Sequence, residues 1–172
     1  MTNLEFKTLT VNNWLEPDDV LRVFVSLSPD GEAHASTGNE WMQRTLEPKL
    51  VETVPIEIQR LFEVARGAMA YGFLFYPLYT LALEQVFRVA EAAISYKSKD
   101  LGAPKSKRTF EKRIDWLISK SVITTSDGQK WHAIRKFRNF TSHPTMQMIL
   151  PPGYTVGILG DMAKRINSLF GG

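Results

Sequence analysis

A series of helical apolar patterns, which runs from Pro55 to the C-terminus, constrains the fold of this chain more than any other feature. Within it, apolar residues recur at spacings of three, four and seven, which places them on one face of a helix. The clearest stripe consists of Leu83, Val86, Phe87, Ala90 and Ile94. Proline and glycine turns separate successive stripes. This pattern predicts an all-α fold, an antiparallel bundle of about five helices with short connections.

Turn residues set approximate bounds for these helices. Pro55 suits a first helical position, whereas Pro77 and Pro144 stop the helices that precede them. Ser126-Asp127-Gly128 marks the break before the fourth helix. We predict helices at about residues 55–75, 78–97, 109–120 and 126–142, and a last helix after the turn formed by Pro151-Pro152-Gly153.

The N-terminal third, residues 1–53, supports more than one interpretation. Leu21, Val23, Val25 and Leu27 alternate with other residues as in a strand, yet Glu16-Pro17-Asp18-Asp19 just before them is typical of a helix start. Further along, we predict a turn at residues 28–31, a loop at 32–39 and a short helix at about 41–51.

The composition excludes several classes of protein. There is no cysteine among the 172 residues, which excludes disulfides, thiolate metal sites and a cysteine nucleophile. Together with a polar N-terminus that does not resemble a secretory signal, this predicts a cytoplasmic protein. Residues 67–83 carry no charge, but the run is short for a membrane helix and contains Pro77, so we expect no membrane contact.

Basic residues are concentrated in one stretch. The formal net charge of the chain is +3, but residues 97–113 hold seven basic and two acidic side chains, a local net charge of +5. Clustered basic side chains suit the phosphate backbone of RNA. The candidate RNA contacts are Lys105, Lys107, Arg108, Lys112 and Arg113, with Arg135 from the fourth helix. The alternative is that the stretch is a solvated loop.

The end of the fourth helix carries R-N-x-x-x-H, formed by Arg138, Asn139 and His143. On an ideal helix, Arg138 and His143 lie about 140° apart, so one regular helix does not bring them together. They converge if the last turn unwinds before Pro144, if the arginine side chain bends round, or if a symmetric partner supplies a second copy of the motif.

Structural interpretations of the same helix stay open. His143 caps the helix or bonds to a neighbouring helix, and Arg138 forms an ion pair with Glu84 or Glu91. The side that faces the core is predicted to comprise Trp131, Ile134 and Phe137. The solvated side is predicted to include Arg135 and Lys136.

The motif resembles the R-x(4–6)-H signature of HEPN domains, which also lies at the end of a late helix. An earlier helix with Ala82-Leu83-Glu84, Arg88 and Glu91 fits the same family. The resemblance covers about residues 54–170. We therefore divide the chain into an N-terminal extension, residues 1–53, and a HEPN-like helical domain, residues 54–172.

The resemblance implies a helical bundle that pairs as a homodimer, with the motif helices facing each other across a cleft. Many HEPN domains are metal-independent ribonucleases of toxin–antitoxin and phage-defence systems. By this likeness, His143 transfers a proton, Arg138 clamps a phosphate and Asn139 orients either group. RNA supplies its own nucleophile, the 2′-hydroxyl, so we expect no cofactor and a product that ends in a 2′,3′-cyclic phosphate. Thr145 stands where one toxin subgroup carries a modified tyrosine, so we do not expect that form of regulation.

Three hypotheses remain open at this stage. The first is a homodimeric endoribonuclease acting on RNA, the second a non-catalytic HEPN-fold module that binds RNA or a protein partner, and the third an antitoxin-like or scaffold subunit. His34 and His132 have no companions at metal-ligand spacing, so we expect no metal site.

Overall fold

The structure, a computed structural model, describes residues 7–28, 30–138 and 150–171 with their side chains, and residues 139–141 by their backbone alone. These residues form six α-helices, one short 3-10 helix and a small two-stranded sheet. The α-helices are α1 (Gly38–Leu46), α2 (Ile56–Tyr71), α3 (Leu78–Asp100), α4 (Phe110–Ser119), α5 (Thr125–Thr141) and α6 (Pro152–Leu169). The strands β1 (Val25–Leu27) and β2 (Ala33–Ala35) pair in antiparallel register.

Helix α3 lies at the centre of the fold and packs against α2, α4, α5 and α6. It can do so because its buried apolar residues form one broad face, which spans about 160° at 100° per residue and is wide enough to contact several helices. Its buried apolar residues include Ala82, Leu83, Val86, Phe87, Val89, Ala90, Ala93 and Ile94. The other helices each contribute one apolar face to the same core.

The five helices predicted from Pro55 onward are confirmed, with ends that shift by a few residues. Helix α2 ends at Tyr71 rather than near residue 75, because a turn of residues 72–77 precedes the proline-preceded start of α3. Helix α3 continues to Asp100, where Gly102 adopts a positive φ of 78° after the helix end. Gly128, predicted to belong to a break, lies inside the first turn of α5.

The N-terminal third combines both local structures that its sequence suggested. Asp18 caps a 3-10 helix, Asp19–Val23, and only β1 continues the alternating pattern as a strand. The prediction of a loop at residues 32–39 is wrong in part, since this segment contains β2 and the start of α1. Helix α1 ends at Leu46, earlier than predicted, and a capping box between Thr37 and Glu40 fixes its start.

A buried carboxylate joins this third of the chain to the helices. Asp18 is 1 % exposed, and its Oδ2 accepts a hydrogen bond of 2.8 Å from the backbone N–H of Tyr76. Val20 and Leu21 belong to the same apolar core as the helices. The predicted domain boundary at residue 53 stays a prediction, but these contacts show that side chains from both sides of it share one core.

In the described part of the chain, no helix has the combination of length and apolar character that crossing a membrane would require.

Candidate functional site

Helix α5 carries the predicted motif, and its first turn is fixed by side-chain hydrogen bonds. The hydroxyl of Thr124 donates to Asp127 Oδ2 at 2.7 Å and accepts from the Asp127 backbone N–H at 3.0 Å. The hydrogen bond from Thr124, with that from Lys130, lowers the pKa of Asp127 below its usual value. An ionised carboxylate at this position also suits the positive end of the helix dipole.

Close packing against α4 and α3 sets the rotation of α5. Gly128 is buried, and a Cβ placed there would lie 2.7 Å from Ile118 Cγ1 on α4. Trp131 is buried in the core, and the ring of Phe137 meets that of Phe87 edge-on with centroids 5.7 Å apart. These contacts confirm the prediction that this side of the helix faces the core.

The polar side of α5 forms one histidine–carboxylate hydrogen bond and two arginine–glutamate ion pairs with neighbouring helices. His132 Nε2 lies 3.0 Å from Asp115 Oδ1, and Arg135 Nη2 lies 3.0 Å from Glu111 Oε1, both on α4. Arg138 Nη1 lies 3.1 Å from Glu91 Oε2 on α3. The basic members are spaced three residues apart, so they follow one side of α5. We refer to His132, Arg135 and Arg138 with their three acidic partners as the α5 ladder.

The α5 ladder confirms one structural prediction and corrects another. Arg138 pairs with Glu91, one of the two carboxylates proposed from the sequence. Arg135 does not lie on a solvated side, because its side chain is only 23 % exposed and its Nε is buried without a hydrogen-bond partner among the described residues. Lys136, the next residue, is exposed as predicted.

The same contacts bring the motif helix near the basic stretch. Helices α4 and α5 are antiparallel, since the contacts advance from residue 132 to residue 135 along α5 while they go back from residue 115 to residue 111 along α4. The C-terminal half of α5 therefore lies beside the N-terminus of α4. The loop that holds Lys105 and Arg108 leads directly into that N-terminus, and both side chains are exposed. Glu91, the partner of Arg138, lies nine residues before the end of α3, where the basic stretch is located. This corresponds to about 14 Å along the helix axis at 1.5 Å per residue.

Arg138 also borders a cleft of about 440 Å³ between α2, α3 and α5. Glu84, Gln85 and Arg88 of α3 supply its other polar side chains, while Val64, Ala68 and Leu81 supply an apolar wall. In the sequence, Arg88 was noted only as part of the earlier helix that resembles the HEPN family. Its place beside Arg138 depends on how α3 and α5 cross, and no sequence pattern reports that crossing.

The remaining predicted site residues differ in how far the structure describes them and in how exposed they are. Asn139 lies in the last turn of α5, but its side chain falls outside the described residues, and so does the whole of His143. The exposed members of the predicted RNA-contact set are Lys105, Arg108 and Lys112, and the half-buried members are Lys107, Arg113 and Arg135. Within the ranges that the structure covers, no three histidine, aspartate or glutamate side chains form a group able to hold a metal ion.

Comparison of the chain with protein-family models, with curated proteins and with solved structures gives no match.

Proposed function

We propose that this chain is a cytoplasmic, metal-independent endoribonuclease of the HEPN type, with its site at Arg138, Asn139 and His143. The observation that carries the proposal is the position of Arg138. Its side chain is 38 % exposed at the edge of a 440 Å³ cleft that also holds Arg88, at the end of α5 that adjoins the basic stretch. An arginine in this position can bind a phosphate through two N–H donors, and it keeps its positive charge at neutral pH.

Glu91 supports the proposed role of Arg138. A carboxylate 3.1 Å from Nη1 restrains a long side chain that would otherwise sample many rotamers. A side chain that is already oriented loses less conformational freedom when the substrate binds.

The proposed reaction uses the 2′-hydroxyl of RNA as the nucleophile. A base takes the proton of that hydroxyl, the oxygen attacks the adjacent phosphorus, and the bond to the 5′-oxygen breaks. An acid then protonates the leaving 5′-oxygen, so no net proton is consumed and the product carries a 2′,3′-cyclic phosphate. Histidine is suited to such proton transfer near neutral pH, and we assign that role to His143. Arg138 stabilises the additional negative charge on the phosphorane.

A homodimer would complete this site. Arg138 and His143 point about 140° apart on an ideal helix, so two copies of the motif facing each other would bring the arginine of one protomer towards the histidine of its partner. The two histidines would then divide the tasks of base and acid. We propose this arrangement from the motif geometry and from the HEPN resemblance, with a toxin–antitoxin or phage-defence role as the biological context.

Cleavage of labelled single-stranded RNA in the presence of a chelator tests the proposal. We expect wild type to cleave and to leave a 2′,3′-cyclic phosphate, and His143→Ala to be slower by about 10²-fold or more, because general acid–base catalysis contributes about that much. The matched control is His34→Ala, which removes a histidine from β2, far along the chain from the motif. Equal cleavage by His143→Ala and wild type would overturn the assignment.

A second candidate function is favoured by the α5 ladder itself. All three of its basic side chains have carboxylate partners within 3.1 Å, which is what a purely structural helix interface needs. A non-catalytic module that binds RNA or a protein partner, such as an antitoxin, through the exposed basic residues is compatible with that arrangement. This alternative predicts RNA binding that is unchanged by His143→Ala, with no cyclic phosphate product from either protein.

A further inference from the structure

Helix α2 carries a second row of apolar residues on the side that faces away from the core. Leu61, Val64, Ala68 and Tyr71 follow one another at spacings of three, four and three, so they share one side of the helix. Val64 is 59 % exposed and Tyr71 is 62 % exposed, although the opposite side of α2 is buried in the core. Such a second row is typical of a helix that packs against further helices.

Leu81 of α3 extends this row into a continuous patch. Its side chain is 57 % exposed and lines the same cleft as Val64 and Ala68. Contiguous exposed apolar surface, as distinct from single exposed side chains, is typical of an interaction surface. We refer to this patch, together with the polar residues of α3 that line the cleft, as the α2–α3 face; those polar residues are Glu84, Gln85 and Arg88.

The arrangement of residues on α3 indicates what covers this face. Leu81, Gln85, Arg88 and Ala92 lie on one side of the helix at spacings of four, three and four, which read the same in both directions. When two such rows are laid antiparallel, Leu81 of one copy faces the small side chain of Ala92 in the other. The guanidinium of Arg88 then meets Gln85 and the neighbouring carboxylate of Glu84. Each of these contacts occurs twice, so the face is complementary to itself in both size and charge.

We infer that the α2–α3 face binds a second copy of this chain, with the two α3 helices antiparallel about a two-fold axis between Gln85 and Arg88. The inference rests on the proposed homodimer, for which it supplies the surface. A self-complementary patch of this kind is what a two-fold contact between identical chains requires. The same axis brings both motif helices to one side of the α3 pair. The two copies of Glu91, each with its Arg138, then lie about 14 Å apart along the helix axis at 1.5 Å per residue.

Sedimentation equilibrium of the full chain measures this interaction without RNA. We expect wild type to be dimeric and Val64→Asp to raise the dimer dissociation constant by about 100-fold or more, because each dimer would bury two carboxylates without partners. Val25→Asp is the matched control, since Val25 is 62 % exposed on β1 and lies outside the α2–α3 face. It should dimerise as wild type does, and circular dichroism checks that both variants fold.

A mixture of two charge variants tests the pairing between the copies. Glu84→Arg and Arg88→Glu should each dimerise about tenfold or more weakly than wild type, because like charges then face each other across the axis. An equimolar mixture of the two should form a heterodimer with an affinity near that of wild type, since each variant supplies the charge that the other lacks. Mixing would not correct a defect in folding or in a bond within one chain.

Three results would overturn the inference: a wild type that is monomeric at millimolar concentration, a folded Val64→Asp variant that dimerises as wild type does, or a mixture of the charge variants that stays monomeric. RNA cleavage is measured separately. A dimer that forms through this face but does not cleave RNA would contradict the proposed ribonuclease and support the surface. Cleavage by a monomeric wild type would contradict the surface and support the ribonuclease.

Discussion

At the scale of single residues, buried polar groups connect parts of the chain that are distant in sequence. Tyr76 is 1 % exposed, and its hydroxyl donates to the carbonyl oxygen of Leu150 at 2.5 Å, while its backbone N–H donates to Asp18. One residue thus joins the N-terminal third, the start of α3 and the segment before α6. Neither partner shares a periodic pattern with Tyr76, so the sequence alone gives no indication of these bonds.

The ionisation of Tyr76 predicts a loss of stability at alkaline pH. Burial, reinforced by the negative charge of Asp18, raises the pKa of Tyr76 to about 12 from an ordinary value of 10.0. Below pH 10 the phenol is neutral in both the folded and unfolded states, so its contribution to stability is fully present. As the pH rises from 10 towards 12, the unfolded state ionises first and the free energy of unfolding falls.

Urea denaturation at pH 9 and pH 11 measures this effect. We expect the free energy of unfolding of wild type to fall more between these two values than that of Tyr76→Phe, which has no phenol to ionise. Tyr154→Phe is the control, because Tyr154 is 52 % exposed and should behave as wild type. An equal fall in Tyr76→Phe and wild type would show that ionisation of this residue does not govern alkaline stability.

At the scale of elements, the long helices could be predicted from sequence, whereas β1 was indicated only as one of two alternatives and β2 was not predicted. Helices α2 to α6 each bury a stripe of apolar residues, and such stripes repeat over enough turns to be recognised. The strands β1 and β2 have only three residues each, and Ala33-His34-Ala35 contains none of the residues that favour strands, Val, Ile, Thr, Tyr, Phe or Trp. Alternation over so short a span does not distinguish a strand from a 3-10 helix or a loop.

The partners within the α5 ladder were only partly predictable, for a related reason. Glu91 was one of two carboxylates proposed for Arg138, the other being Glu84 on the same helix. Glu111, which pairs with Arg135, belongs to a different helix whose position along α5 depends on the length of the α4–α5 turn. The chemistry of an ion pair is evident from the sequence, but the choice of partner depends on how the helices pack together.

The contact between α4 and α5 gives a prediction about stability. Gly128→Ala would place a methyl group against Ile118 and force that side chain to move, so we expect a loss of about 1–3 kcal/mol in the free energy of unfolding. Gly67→Ala on α2 is the control, since its methyl group would meet no neighbour. It should gain roughly 0.5–1 kcal/mol through improved helix propensity. Chemical denaturation of both variants tests this, and equal gains would show that Gly128 is not required for close packing.

At the scale of the whole molecule, the fold places Arg138 on the end of α5 that adjoins the exposed basic residues. The ion pairs of α5 place the last turns of the motif helix beside the N-terminus of α4, where the exposed Lys105, Arg108 and Lys112 lie. The cleft next to Arg138 opens between α2, α3 and α5. A single strand of RNA that follows the basic residues would therefore be close to Arg138.

A comparison of two arginines on α5 tests the proposed site most directly. Arg138 and Arg135 pair with glutamates at 3.1 Å and 3.0 Å, so the glutamine variant of each loses one such ion pair. In single-turnover cleavage of labelled RNA with a chelator present, we expect Arg138→Gln to be slower than wild type by about 10²–10³-fold, as for the loss of a group that stabilises transition-state charge. Arg135→Gln should be slower by only a few-fold. Equal losses in both variants, or no cleavage by wild type, would contradict the assignment of Arg138 as the phosphate clamp of a ribonuclease.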